Sequence, residues 1–133
     1  MKNFYIEAGG DIEVSGKNKN NQNWIVGIRS PFDKTEIIKR LSLTNAGIAT
    51  SGIYERGNHI YNPHHLEETI RDVVSLSIVG PNIYEADRFA TACFAMGPKG
   101  LEFIERLKGF EGLMIKRNGE VASTKGFYKY EMD

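Results

Sequence analysis

An aspartate and a threonine four residues apart are the first candidates for chemistry. Asp87 and Thr91 lie in a segment whose apolar residues recur at helical spacing, so the two side chains are predicted to share one helix face. A carboxylate and a hydroxyl are oxygen ligands, which suit Mg²⁺ better than a metal that prefers thiolates. Most pairs at this spacing are only solvated polar groups. The alanines beside them, Ala86, Ala90 and Ala92, are explained by tight helix packing as well as by a bulky ligand.

A loop histidine is the second candidate. His59 lies in GNHIYNP (residues 57–63), a stretch rich in turn-forming residues that follows Ser51 and Gly52. Such a histidine can act as a base or bind a phosphate, although a surface histidine without function is the commoner outcome. His64 and His65 are adjacent in the sequence, so their side chains are expected to diverge and not to chelate one ion.

A glycine pair after a short apolar segment is the third candidate. Gly9 and Gly10 would let the backbone approach a ligand, and Asp11 would bind a hydroxyl or an amine. The spacing alone favours a simpler interpretation, in which the glycines turn one strand into the next. No Gly-Lys-Ser/Thr follows, which excludes a phosphate-binding P-loop.

The elements that must position these residues form an α+β pattern. Alternation and β-branched residues predict strands, polar and glycine-rich stretches predict turns, and Asn82 is a plausible N-cap for the helix that carries Asp87. Residues 34–50 are compatible with a helix or with extended structure, and we favour a strand, a turn and a second strand over residues 47–51. The remaining expected elements are strands at 4–7, 12–14, 24–28 and 72–79, an exposed hairpin loop at 15–23, helices from 82 to 96 and over 99–107, and a final hairpin at 113–116 and 121–123.

Composition limits the protein class. A chain of 133 residues predicts one domain, and 17 basic against 17 acidic residues disfavour a polybasic nucleic-acid binder. A single cysteine, Cys93, excludes an internal disulfide framework and is predicted to be a buried apolar residue. The apolar runs are too short to span a bilayer, and no secretory signal is visible, so a cytoplasmic location is expected. The predicted fold is therefore an α+β domain, mostly antiparallel sheet with two adjacent helices.

Six sequence blocks, taken in order, resemble the C-terminal half of the FAD:protein FMN transferases, the ApbE family. They cover nearly the whole chain, which makes the resemblance far more specific than any single motif. The blocks are EAGGDI (7–12), WIVGIRSP (24–31), GIATSGIYER (47–56), HIYNP (59–63), VVSLSIVGP (73–81) and EADRFATACFAMGP (85–98).

The resemblance implies a reaction and residue roles. With Mg²⁺, family members split FAD and transfer FMN to a Ser/Thr hydroxyl of an acceptor flavoprotein, releasing AMP. It implies metal ligation by Asp87 and Thr91, with only a backbone oxygen available from Ala90, and a base or phosphate-orienting role for His59. It also implies an FAD cleft lined by Gly9, Gly10, Asp11, Ser51 and Gly52, with a backbone contact from Tyr61.

Two departures from the family pattern fall in the histidine block. Asn62 stands where the family usually has Asp, and His64-His65-Leu66 replaces the usual Thr-Gly. Full-length members are about twice as long, so the resemblance implies a fragment, one subunit of a split enzyme, or a reduced homologue. A partner that carries the N-terminal half, or self-association, is then expected. The alternatives are an FAD pyrophosphatase, with water replacing the acceptor, and a non-catalytic flavin-binding or partner-binding remnant.

Overall fold

The computed structural model describes residues 2–53 and 72–132. Within them the chain alternates short strands with two helices in the order that the sequence predicts. The elements are β1 (Phe4–Ala8), β2 (Asp11–Ser15), β3 (Trp24–Arg29), β4 (Ile37–Leu43), β5 (Ala46–Gly52), β6 (Val73–Gly80), α1 (Ile83–Ala95), α2 (Lys99–Glu105), β7 (Glu111–Lys116), β8 (Val121–Ser123) and a 3₁₀ turn (Phe127–Tyr130).

The strands form two antiparallel sheets. The larger has the order β1-β2-β5-β6-β7-β8, and β3 pairs with β4 in the smaller one. The predicted α+β fold with mostly antiparallel strands is confirmed. The hairpin predicted around residues 15–23 is wrong, because β2 pairs with β1 and β5, so this loop connects the two sheets. Val14 of β2 and Val26 of β3 are buried in the same apolar cluster between the two sheets. The chain therefore passes from the larger sheet to the smaller one so that their apolar faces cover each other.

The core has two layers on opposite faces of the larger sheet. One cluster fills the space between the two sheets, and the other lies between the larger sheet and the helices. Strand β6 is the common wall of both clusters and is buried at all of its positions. Such a strand reads as a nearly continuous apolar run, which explains why VVSLSIVG was the clearest strand in the sequence.

Helix α1 begins as the sequence predicts. The Asn82 side chain accepts a hydrogen bond from the Glu85 N–H at 2.9 Å, the usual role of an N-cap. The buried stripe of α1 contains Ala86, Ala90, Cys93 and Phe94. Burial raises the pKa of the Cys93 thiol to about 11, so this thiol stays protonated at neutral pH, in agreement with its predicted role as a buried apolar residue.

Helix α2 is shorter than predicted and ends at Glu105. It approaches α1 through Gly100, where a Cβ would lie only 2.1 Å from the Cys93 carbonyl oxygen. Neither helix, nor any other in residues 2–53 and 72–132, is long and apolar enough to cross a membrane.

The C-terminal 3₁₀ turn was not predicted. Phe127 is fully buried in the cluster between the two sheets, while its neighbour Tyr128 is 73% exposed. After the turn, Glu131 forms a β-bridge with Leu41 of β4. The tail therefore fastens the smaller sheet to the larger one.

We expect Phe127→Ala to lower the free energy of unfolding by about 3–5 kcal/mol, because it removes a large side chain from the core and leaves a cavity. Tyr128→Ala, one residue along the same turn, should change it by less than about 0.5 kcal/mol. Urea unfolding of both variants measures the difference. Equal losses would show that the turn does not close the core.

Candidate functional site

A two-residue turn brings several predicted site residues to one end of the larger sheet. Gly9 and Gly10 connect β1 to β2 with φ values of +62° and +95°, a left-handed pair that glycine adopts without strain. In the β2–β5 pairing Ile12 lies opposite Ile48, so the turn lies beside the last residues of β5. These last residues include Ser51 and Gly52.

Asp11 links this turn to β5. Its Oδ1 accepts a long hydrogen bond of 3.4 Å from the Thr50 N–H. The interpretation of the glycine pair as a strand connection is therefore correct for the backbone. The same turn also exposes Gly9 and Gly10 at the sheet end, where the resemblance implies a ligand cleft.

Strand alternation divides the site residues between the two faces of the sheet. Ala49 packs among the helix residues, so Ser51, two positions later, points to the helix face. Asp11 shares that face with Glu13, whose carboxylate contacts the start of α1. Thr50 points the other way, toward the smaller sheet.

The face toward the smaller sheet contains a cavity of about 220 Å³. The residues that line it include Gly9, Gly10, Thr50, Glu7 and Arg29. The Thr50 Oγ1 lies 2.7 Å from the Ser77 Oγ, so the two hydroxyls satisfy each other. A small polar group could enter this cavity, although its apolar walls come from the core.

Helix α1 holds the predicted metal ligands on the opposite face of the sheet. Asp87 and Thr91 are both exposed, as expected for one helix face. Phe89 is two residues from each and therefore points almost the opposite way around the helix. Its ring packs on Phe110, 4.8 Å away, ahead of β7. Asp87 and Thr91 consequently lie on the flank directed toward β5 and β2.

The level of these ligands along the sheet follows from the helix start. Ile83 lies against Gly47 of β5, and α1 then runs along β5 over Ala49. Thr91 is eight residues beyond Ile83, or about 12 Å, and Ser51 is four strand residues beyond Gly47, or about 13 Å. Thr91 is therefore level with Ser51, at the same sheet end as the glycine turn.

Ala90 lies apart from the other two predicted ligands. Its side chain is fully buried against the sheet, and its carbonyl belongs to the interior of the helix, where backbone oxygens accept helical hydrogen bonds. Of the three predicted ligands, Asp87 and Thr91 are therefore the two with an exposed oxygen-bearing side chain. The described part of the chain contains no group of three or more His, Cys, Asp or Glu that could hold a metal.

Two predicted site residues, His59 and Tyr61, lie outside the described residues. The described chain stops at Ile53 and resumes at Asp72. Gly52 pairs with Ser75, so both of these points lie at the sheet end that carries Ser51 and the glycine turn.

Sequence reasoning missed Thr50, Ser77 and Glu13 as site residues. Ser77 is 1% exposed within a strand whose other polar side chain is Ser75, and such a buried hydroxyl requires a partner. The two serines of VVSLSIVG were thus an available signal. The partners of Ser77 and Glu13 lie 27 and 70 residues away, which local patterns do not reveal.

Comparisons with known proteins find similar sequences over most of the chain. The model of the ApbE family matches residues 1–114. The chain is 26% identical over 133 residues to an FAD:protein FMN transferase of Escherichia coli K12, covering 93% of this chain and 38% of that protein. It is 28% identical over 140 residues to the Haemophilus influenzae enzyme of the same name, covering 96% and 40%. The chain thus spans about two fifths of the length of these curated relatives.

Solved structures show the same fold. The ApbE protein of Thermotoga maritima superposes with a TM-score of 0.81 at 26% identity, covering 98% of this chain and 45% of that one. The flavin transferase ApbE of Vibrio cholerae gives a TM-score of 0.75 at 24% identity, covering 97% and 44%.

The buried hydroxyl pair gives a stability prediction. Thr50→Val should cost about 1–3 kcal/mol of unfolding free energy, because the Ser77 hydroxyl loses its partner. Adding Ser77→Ala should cost little more, so the two effects are expected to be non-additive. Urea unfolding of the unsubstituted chain, the two single variants and the double variant gives the coupling energy. The exposed Thr91→Val is a control for the chemical change. Additive losses would contradict the proposed pairing.

Proposed function

The chain belongs to the ApbE family, and on this premise we propose that it is the C-terminal half of a Mg²⁺-dependent FAD:protein FMN transferase. One observation carries the proposal. Counted from the contact between Ile83 and Gly47, the rises of helix and strand give Thr91 a position level with Ser51 and Asp87 a position one turn before it, within a chain that the family model matches over residues 1–114.

The residues on α1 fit a hard divalent cation. Asp87 supplies a carboxylate and Thr91 a hydroxyl, both exposed and one helical turn apart. Mg²⁺ usually binds through one or two carboxylates together with substrate phosphates, so two protein ligands suffice if FAD supplies the rest. When bound, the ion would neutralise charge on the FAD pyrophosphate. Ala90, the third predicted ligand, has only a backbone oxygen to offer, and its buried side chain packs on the sheet.

The remaining residues are assigned to binding and proton transfer. We assign Gly9, Gly10, Asp11, Ser51, Gly52 and Tyr61 to the wall of the FAD cleft. The acceptor hydroxyl attacks the FMN phosphorus, the bond from that phosphorus to the bridging oxygen breaks, and AMP leaves. A hydroxyl is a weak nucleophile, so removal of its proton needs a base, and we assign that role to His59.

The rest of the catalytic fold is proposed to come from a second polypeptide or from self-association. Supporting this, β1 is an edge strand of the larger sheet, and its Ile6 and Tyr5 side chains are 54% and 39% exposed. Exposed apolar edge strands favour pairing with another chain. If water replaces the acceptor, the same site would hydrolyse FAD to FMN and AMP.

Asp87→Asn keeps the side-chain shape and removes the charge, so it should abolish the dependence of FAD binding on Mg²⁺ while leaving the fold intact. Thr91→Val deletes a neutral ligand and should weaken that dependence less. Calorimetric titration of FAD with and without Mg²⁺ measures both, on the 133-residue chain alone and together with a polypeptide that carries the N-terminal half of the family fold. Glu102→Gln, an exposed charge removal on α2, is the control. Undiminished Mg²⁺ dependence in Asp87→Asn would exclude this metal site.

His59→Ala should lower FMN transfer by roughly 10²–10⁴-fold, the usual contribution of a general base, and should leave Mg²⁺-dependent FAD binding nearly unchanged. His64→Ala is the matched control and should retain activity. Release of AMP, measured with and without an acceptor protein, separates transfer from hydrolysis. FAD binding without either product would support a non-catalytic remnant, and unchanged transfer in His59→Ala would exclude this histidine as the base.

A further inference from the structure

The start of α1 is held by a residue of the sheet. The Glu13 Oε1 accepts a hydrogen bond of 2.8 Å from the N–H of Ile83, the first residue of the helix. The first N–H groups of a helix have no partner within the helix. The Asn82 side chain satisfies one of them, at Glu85, and Glu13 satisfies another from 70 residues away in the sequence.

Gly47 completes this contact on the neighbouring strand. Glu13 and Gly47 lie directly opposite each other in the β2–β5 pairing. A Cβ at position 47 would lie 2.3 Å from the Ile83 nitrogen, so the start of the helix packs directly on the Gly47 backbone and leaves no room for a side chain there. We call Glu13, Gly47 and Ile83 the helix joint. The carboxylate also faces the positive end of the helix dipole, which strengthens its hold.

The helix joint determines where the candidate ligands lie. Asp87 is one helical turn beyond Ile83, about 6 Å along the axis, so a shift or rotation at Ile83 passes directly to Asp87. The level of Thr91 beside Ser51 depends on the same starting point. Mg²⁺ requires nearly ideal octahedral geometry, so small displacements of its ligands weaken binding.

We propose that Glu13 is a positioning residue, which sets the register of Asp87 and Thr91 over the sheet through its bond to Ile83. This inference rests on the function proposed above. Glu13 itself contacts neither the ion nor FAD in this account. Its effect reaches the site through the first turn of α1, which Glu13 holds with the oxygen that accepts the hydrogen bond from Ile83.

The test uses the 133-residue chain together with a polypeptide that carries the N-terminal half of the family fold, and compares two substitutions at one position. Glu13→Ala removes the acceptor, whereas Glu13→Gln retains an acceptor oxygen of the same reach. Glu102→Ala, on the exposed surface of α2, is the control. Two quantities are measured: amide hydrogen exchange at Ile83, and the ratio of FAD affinities with and without Mg²⁺. A general loss of stability would weaken FAD binding equally in both conditions, so the ratio reports positioning.

Glu13→Ala should speed exchange at Ile83 by about tenfold or more and reduce the affinity ratio by a similar factor. Glu13→Gln keeps an acceptor oxygen but loses the charge that faces the helix dipole, so it should change both quantities by less than about fivefold. A normal ratio in Glu13→Ala, in a chain that couples FAD binding to Mg²⁺, would overturn the positioning role alone. If the unsubstituted chain shows no coupling, the proposed function and the positioning role both fail, and the exchange data still report whether Glu13 holds the helix.

Discussion

The architecture depends on one strand that is covered on both faces. Every residue of β6 is buried, which requires the helices on one side and the smaller sheet on the other. An unpaired polar group would be costly in a strand that is buried on both faces, and β6 contains two buried serines, Ser75 and Ser77. The hydroxyl of Ser77 is hydrogen-bonded to that of Thr50 on the adjacent strand, and Thr50 also lines the cavity, so this polar pair connects the core to the cavity.

Close backbone contacts determine how the helical layer sits on this strand and its neighbours. Gly47 admits the start of α1, and Gly100 admits the crossing of α2 over α1. At both positions a Cβ would collide with backbone atoms, which cannot move aside as a side chain can. The helical layer is thus fixed at the start of α1 and at its crossing with α2. The exposed flank that carries Asp87 and Thr91 is held by contacts on the buried side of the same helix.

The sequence predicted elements better than it predicted their partners. The strands outside residues 34–50 and the N-cap Asn82 follow from alternation, turn residues and capping, which are local signals. Within residues 34–50 the same signals left both helix and strand open. The assignment of β3 to a second sheet does not follow from them, because periodicity in residues 24–28 says nothing about which strand pairs with it. The 3₁₀ turn at Phe127–Tyr130 has no helical or strand period, and only its burial reveals its importance.

In the candidate site, too, local spacing predicted some features and only the packing of distant residues determined the others. That Asp87 and Thr91 share an exposed face follows from a four-residue spacing, whereas Ala90, three residues from Asp87, turns into the core. The helical period alone does not tell whether the exposed flank with Asp87 and Thr91 lies on the β5 side or on the β7 side of the helix. That choice depends on Phe89, whose ring is held by Phe110 on the β7 side. The aromatic contact therefore directs the carboxylate and the hydroxyl toward β5. Because this orientation comes from packing, it depends on the apolar side of the helix and not on the polar residues at the sheet end.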